Sequence, residues 1–112
     1  RHGAKPIMFV VNNSGYAIER VLEEYPDSEY TDLARWDFHK LPAALGCKVW
    51  FTATLTTLGE LDAAMATASE ADTACYIEVV LDKHDYPAAA KALGTRWAEL
   101  YGVAQQPGQP PE

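Results

Sequence analysis

The residues of this chain best suited to chemistry lie in one short run, Asn12-Asn13-Ser14-Gly15-Tyr16-Ala17-Ile18-Glu19, directly after an apolar segment. Asn13 offers a carboxamide oxygen. Gly15, two residues on, can adopt a backbone shape that turns its carbonyl toward the same point. Two neutral hard oxygens converging near a helix N-terminus suit Mg²⁺ that also bonds phosphate oxygens. Glu19 falls on the first turn of the helix expected next, beside Ile18. A carboxyl held among apolar neighbours keeps its proton more readily and can act as a proton donor. The same residues also form a good turn after any strand, and a glutamate early in a helix is favoured by the helix dipole, so spacing alone leaves both readings open. Asn12-Asn13-Ser14 fits a glycosylation sequon as well, but no secretion signal accompanies it.

The elements that must position this run follow from apolar patterning. Lys5–Val11, Cys47–Ala53 and Ala74–Leu81 read as strands, and near-continuous apolar runs suit strands covered on both faces, as in parallel sheets. Helical stretches fall between and after them. Ile18, Val21 and Leu22 share one face; Phe38, Leu41 and Leu45 share another, with Gly46 placed to end that helix. Thr57-Leu58-Gly59-Glu60 matches a capping box, opening a helix with Leu61, Ala64, Met65 and Ala68 on one side. Asp85 and Pro87 open a last helix whose inner face is predicted to run Ala89, Leu93, Trp97, Leu100, with Gly102 ending it. The alternation β-α-β-α-β-α predicts an α/β fold, a parallel sheet with helices on both faces. Pro26–Asp37 is long and polar for a connection and reads as a surface or interface loop. Three strands make a thin sheet with two exposed edges, half a domain.

Composition narrows the classes. The chain has 112 residues, 48% hydrophobic and 22% charged, with a net charge of −7. That describes one globular domain and argues against a nucleic-acid or anionic-membrane surface, either of which needs clustered Lys and Arg. The longest strongly apolar run, Ile7–Val11, is far too short to span a bilayer, and the expected location is the cytoplasm. Cys47 and Cys75 form no CxxC and no Cys/His cluster, which leaves zinc and thioredoxin-type chemistry unsupported and favours buried structural thiols. His2, His39 and His84 stand alone in sequence and read as surface or incidental residues.

Lys5-Pro6-Ile7-Met8-Phe9-Val10-Val11-Asn12-Asn13-Ser14-Gly15-Tyr16-Ala17-Ile18-Glu19 closely resembles the end of the thiamine-diphosphate motif of the pyruvate, indolepyruvate and phenylpyruvate decarboxylase family. There the motif opens with Gly-Asp-Gly and closes with Asn-Asn; the form Asn-Asn-x-Gly-Tyr-x-Ile/Val-Glu is narrower and points to 2-oxo acid decarboxylases. The likeness continues through Tyr30–Asp37, Leu41–Leu45 and Tyr76–Leu81, up to about Val103. The resemblance implies that residues 1–103 are the C-terminal half of a cofactor diphosphate-binding domain, with residues 104–112 a disordered tail. It implies that Asn13 and Gly15 are Mg²⁺ ligands, that Asn13, Gly15, Tyr16 and Ile18 contact thiamine diphosphate, and that Glu19 is the catalytic carboxyl. Ala89, Leu93 and Trp97 would line the substrate pocket, although the same stripe equally suits core packing.

Further consequences follow from the same resemblance. The implied activity is non-oxidative decarboxylation of a 2-oxo acid, such as indolepyruvate, phenylpyruvate or pyruvate, to the aldehyde and CO₂. The implied partners are the remainder of the enzyme chain and a second subunit, in a dimer or tetramer. The opening Gly-Asp-Gly, the family's paired histidines and its activating glutamate are absent here, so the chain reads as a fragment expected to be inactive alone. A non-catalytic α/β interaction module, or another thiamine-diphosphate lyase or carboligase, is the alternative.

Overall fold

The computed structural model describes residues 3–101. His2, Gly102 and the predicted tail at 104–112 lie outside them. The elements follow in the order β1 (Ile7–Asn12), α1 (Ala17–Leu22), a 3-10 turn at Glu29–Thr31, a second at Phe38–Lys40, α2 (Leu41–Ala44), β2 (Phe51–Leu55), α3 (Leu58–Glu70), β3 (Cys75–Val80) and α4 (Ala88–Tyr101). Among the described residues no helix is long and apolar enough to cross a membrane. The chain divides into two compact units. Among the described residues one holds 3–12 together with Trp36–Leu81; the other holds Asn13–Arg35 and 82–101.

The first unit is a three-stranded parallel sheet in the order β1-β3-β2, flanked by helices. The last strand in sequence, β3, lies in the middle, with Cys75 and Ile77 fully buried. In the parallel register Cys75, Ile77 and Val79 share a face with Phe51, Ala53 and Leu55. That face packs on α3 through Ala64 and Ala68, forming the core. Burying Ile77 alone contributes about 2 kcal/mol. On β1 the same face carries Ile7, Phe9 and Val11, all exposed.

Helix α3 begins where the sequence places it. The Thr57 hydroxyl accepts from the Glu60 N–H, and the Glu60 carboxylate accepts from the Thr57 N–H, satisfying two otherwise free donors for about 1 kcal/mol. Gly46 also ends α2 as predicted. It has φ 88°, its N–H donates to the Ala43 carbonyl, and the Cys47 N–H donates to that of Pro42.

Two expectations are corrected here. Cys47–Trp50 is not strand: Cys47 belongs to the helix stop, and the Trp50 N–H turns back to the Cys47 carbonyl, so β2 starts only at Phe51. Cys75 is a buried free thiol as expected, but Cys47 is only half-buried. The helix predicted from Phe38 to Leu45 is a 3-10 turn followed by one short turn of α2. Its buried residue is Pro42, while Leu45 is exposed.

The second unit packs α1 against α4. Its closest approach is at Gly94, where an added Cβ would stand 2.5 Å from the Val21 carbonyl oxygen and 2.8 Å from Val21 Cγ1. The face α4 turns inward is therefore Ala90, Gly94 and Ala98, spaced i, i+4, i+8. The predicted inner face is overturned: Ala89, Leu93, Trp97 and Leu100 are exposed, because the shallow stripe of small residues lets two backbones approach and the bulky one does not. Alanine in a helix interior normally gains about 1 kcal/mol over glycine. At Gly94 overpacking reverses the sign. Gly94→Ala in the full-length protein is expected to lose about 1–3 kcal/mol in thermal unfolding, and an unchanged or raised midpoint would refute the close approach.

Candidate functional site

The chain leaves β1 at Asn12 and forms a tight loop before α1. Ser14 carries the left-handed backbone, φ 62°, whereas Gly15 does not. Glycine is required at 15 for space: a Cβ there would lie 2.3 Å from both Arg20 Nη2 and the Thr31 carbonyl oxygen. The expectation that Gly15 supplies unusual backbone dihedrals is thus replaced by a steric reason. Gly15 pairs with Asp32 in an antiparallel bridge. The Tyr16 N–H donates to the Thr31 carbonyl at 2.9 Å, and the Leu33 N–H donates to that of Ser14 at 2.9 Å.

Arg20 closes this arrangement. Its side chain is fully buried, and its guanidinium donates to the Pro26 carbonyl at 2.8 Å, the Thr31 carbonyl at 3.3 Å and Asp32 Oδ1 at 2.6 Å. The Arg20 hydrogen bond holds the Asp32 carboxyl below the usual range. Arg20 Nε has no hydrogen-bond partner among the described residues. A recess beside it is lined by Val21, Pro26, Tyr86 and Lys91.

The loop brings Asn13, Gly15, Tyr16, Ile18 and Glu19 into one stretch at the start of α1. Tyr16 and Ile18 are half-exposed, and Glu19 is exposed. Apolar spacing predicts Ile18 on the inner face beside Val21 and Leu22, with the Glu19 carboxyl among apolar neighbours. The six-residue α1 instead buries only Arg20 and Val21 and leaves Ile18 and Glu19 exposed. Ala89, Leu93 and Trp97, the predicted pocket residues, lie on the outward face of α4, where Trp97 rests on Tyr101 at 4.3 Å between ring centroids.

The donor set at the loop is hard and neutral, an asparagine amide oxygen and a backbone carbonyl. It suits part of a Mg²⁺ oxygen shell and no soft metal. Among the described residues no three His, Cys, Asp or Glu side chains form a metal cluster.

A second polar group, in the sheet unit, was missed by sequence reasoning. Glu78, 3% exposed, stands in the apolar run of β3. Its Oε1 accepts from Asn12 Nδ2 at 2.7 Å. Its Oε2 accepts from Thr54 Oγ1 at 3.2 Å and the His39 N–H at 3.3 Å, and lies 3.0 Å from His39 Nδ1. Burial pushes this carboxyl up, but the hydrogen bonds from Asn12, His39 and Thr54 outweigh it and hold it below its ordinary value. The signal was a lone acid between Ile77 and Val79.

One histidine reading is corrected by these contacts: His39 is not incidental, since it pairs with Glu78. His84 lies at the surface as expected, with Nε2 2.9 Å from Asp27 Oδ1 and Nδ1 3.3 Å from the Tyr86 hydroxyl.

A depressed carboxyl stabilises the fold at pH above its unfolded value of 4.5, and that contribution is lost as the pH falls through the lower folded value. Glu78→Gln is expected to flatten the acid side of the stability profile below about pH 4.5. Circular dichroism during acid titration of the full-length protein reads this directly. An acid limb identical to that of the parent would deny Glu78 the role.

The parallel sheet flanked by helices is an α/β fold. A family model described as "Thiamine pyrophosphate enzyme, C-terminal TPP binding domain" matches residues 1–79, and the chain belongs to that family. An alpha-keto-acid decarboxylase of Mycobacterium leprae (strain TN) is 39% identical over 94 residues, 83% of this chain and 16% of that protein. Its counterpart in Mycobacterium tuberculosis (strain ATCC 25618 / H37Rv) is 35% identical over 88 residues, 78% of this chain and 16% of that protein. The thiamine metabolism regulatory protein THI3 of Saccharomyces cerevisiae (strain ATCC 204508 / S288c) is 33% identical over 97 residues, 85% of this chain and 15% of that protein. The chain spans about 16% of the length of the two decarboxylases.

Proposed function

We propose that this chain is the C-terminal half of the cofactor domain in a thiamine-diphosphate- and Mg²⁺-dependent 2-oxo acid decarboxylase, acting in the cytoplasm as a homo-oligomer on indolepyruvate, phenylpyruvate or pyruvate. The observation that carries the reading is the loop after β1. Gly15 in it is bridged to Asp32, which also pairs with the buried Arg20, and Asn13 and Glu19 flank Gly15 in sequence. The two Mycobacterium relatives named as alpha-keto-acid decarboxylases support the same class.

When bound, thiamine diphosphate supplies the electron sink that decarboxylation needs. This chain's residues do the rest of what falls to it. Asn13 and Gly15 would give oxygens to Mg²⁺, Tyr16 and Ile18 would flank the cofactor, and Glu19 would transfer a proton to the carbon that CO₂ leaves. Ala89, Leu93 and Trp97, outward on α4, wall the substrate pocket.

The test is CO₂ release by the full-length enzyme from each of the three acids, with Mg²⁺ and thiamine diphosphate bound. Turnover of at least one is expected. A loaded enzyme that releases CO₂ from none would overturn the assignment. Asn13→Ala should weaken Mg²⁺ retention by at least the roughly tenfold that loss of an outer-shell partner costs, and calorimetric titration measures it. Retention equal to that of the parent would remove Asn13 from the metal.

The yeast relative named as a thiamine metabolism regulatory protein favours a second reading, in which the fold serves a non-catalytic role. Cofactor binding with no CO₂ release from any 2-oxo acid would select it.

A further inference from the structure

We propose that Glu78 is a positioning residue for Mg²⁺ retention, acting through Asn12. The inference rests on the reading of Asn13 as a metal ligand.

An apolar side chain at position 78 would fill its place in β3 without the cost of burying a carboxylate. The acid is instead kept, with both oxygens engaged and the work divided between them. Oε2 is anchored by Thr54 of β2 and by His39 of the 3-10 turn, three contacts from two elements. Among the described residues Oε1 serves Asn12, at 2.7 Å. Val10 pairs with Glu78 across the sheet, and Asn12 stands two residues further on the same face, so a glutamate reaches it diagonally.

Asn12 is held a second time through its backbone. Its carbonyl accepts from the Leu81 N–H at 3.0 Å. That carbonyl belongs to the peptide bond joining Asn12 to Asn13, so side chain and peptide plane are fixed together at the residue from which Asn13 departs. Around a buried carboxylate, part-buried hydrogen bonds of this kind narrow the geometry where an apolar contact would permit several. Outer-shell partners of this type tune a metal site without touching the ion.

The experiment is calorimetric Mg²⁺ titration of the full-length enzyme in the presence of thiamine diphosphate, with thermal unfolding measured in parallel. Glu78→Gln and Asn12→Ala should each weaken Mg²⁺ binding about tenfold. Thr54→Val, which removes a bond on the Oε2 side only, should lower the unfolding midpoint comparably with a much smaller effect on Mg²⁺. The double change Asn12→Asp with Glu78→Gln reverses donor and acceptor. The new amide then donates to the new carboxylate, while its oxygen still accepts from Thr54 and His39, so Mg²⁺ affinity lost in the single Glu78→Gln change should return. If Asn13→Ala weakens Mg²⁺ binding but Glu78→Gln and Asn12→Ala leave it unchanged, the inference fails and the ligand reading stands. If Asn13→Ala also leaves it unchanged, the ligand reading itself fails. Equal Mg²⁺ losses in Thr54→Val and Asn12→Ala, or no recovery in the double variant, would reduce Glu78 to a stabilising residue and overturn the proposal.

Discussion

Glu19→Gln in the full-length enzyme should lower turnover about a hundredfold or more, the range over which a positioned proton donor acts, while Mg²⁺ and thiamine diphosphate remain bound. The substitution keeps the shape of the side chain and removes the transferable proton. Its effect on folding should be small because α1 buries Arg20 and Val21 and leaves Glu19 exposed. Exposed substitutions of this kind stay within about 0.5 kcal/mol. The decisive pair of measurements is CO₂ release at saturating substrate and cofactor occupancy by calorimetry. Unchanged turnover would take Glu19 out of the mechanism. Turnover lost together with the cofactor would make it a binding residue.

Gly15→Ala carries the second large effect, for a different reason. The added Cβ meets two atoms at 2.3 Å, one at the end of the Arg20 side chain and one the Thr31 backbone carbonyl. The guanidinium could swing aside only by giving up Asp32 and the Thr31 carbonyl, with no solvent to replace them at a fully buried site. The carbonyl cannot move while the Tyr16 N–H holds it at 2.9 Å. The bridge between Gly15 and Asp32 must therefore open. Overpacking of this kind costs about 1–3 kcal/mol, and Mg²⁺ retention should fall with it. Ser14→Gly is the matched control. It relieves a left-handed φ of 62° and should be tolerated or slightly stabilising. If Gly15→Ala kept the thermal midpoint and metal affinity of the parent, the close approach at 15 would be wrong.

What could be read from the sequence was what neighbouring residues decide among themselves. The strands at Ile7–Asn12 and Cys75–Val80, the capping box at Thr57 and the glycine stop at Gly46 each depend on a few consecutive side chains, and each is found. The readings that failed depended on partners far along the chain. Leu93 and Trp97 have the periodicity of a buried face, yet the face of α4 that packs is chosen by Gly94, because Val21 approaches there. Cys47–Trp50 has strand composition but is consumed by the helix stop that precedes it. Glu78 and His39 are 39 residues apart, and nothing local to either announces the other. In the candidate site the residue types of the Asn13–Glu19 run were legible. The buried Arg20 and the reason for Gly15 were not, since both depend on where Thr31 and Asp32 return.

The buried Arg20 also limits how this region can change. Its three acceptors lie on Pro26, Thr31 and Asp32, so one guanidinium fastens the segment from α1 to the bridge at fixed points along its length. A chain clasped in this way can exchange outward residues such as Glu24 and Glu29 freely, but it cannot gain or lose a residue between position 20 and position 32 without a clasp point going out of reach. Among natural variants and in engineered libraries alike, this segment should vary in spelling and hold its length.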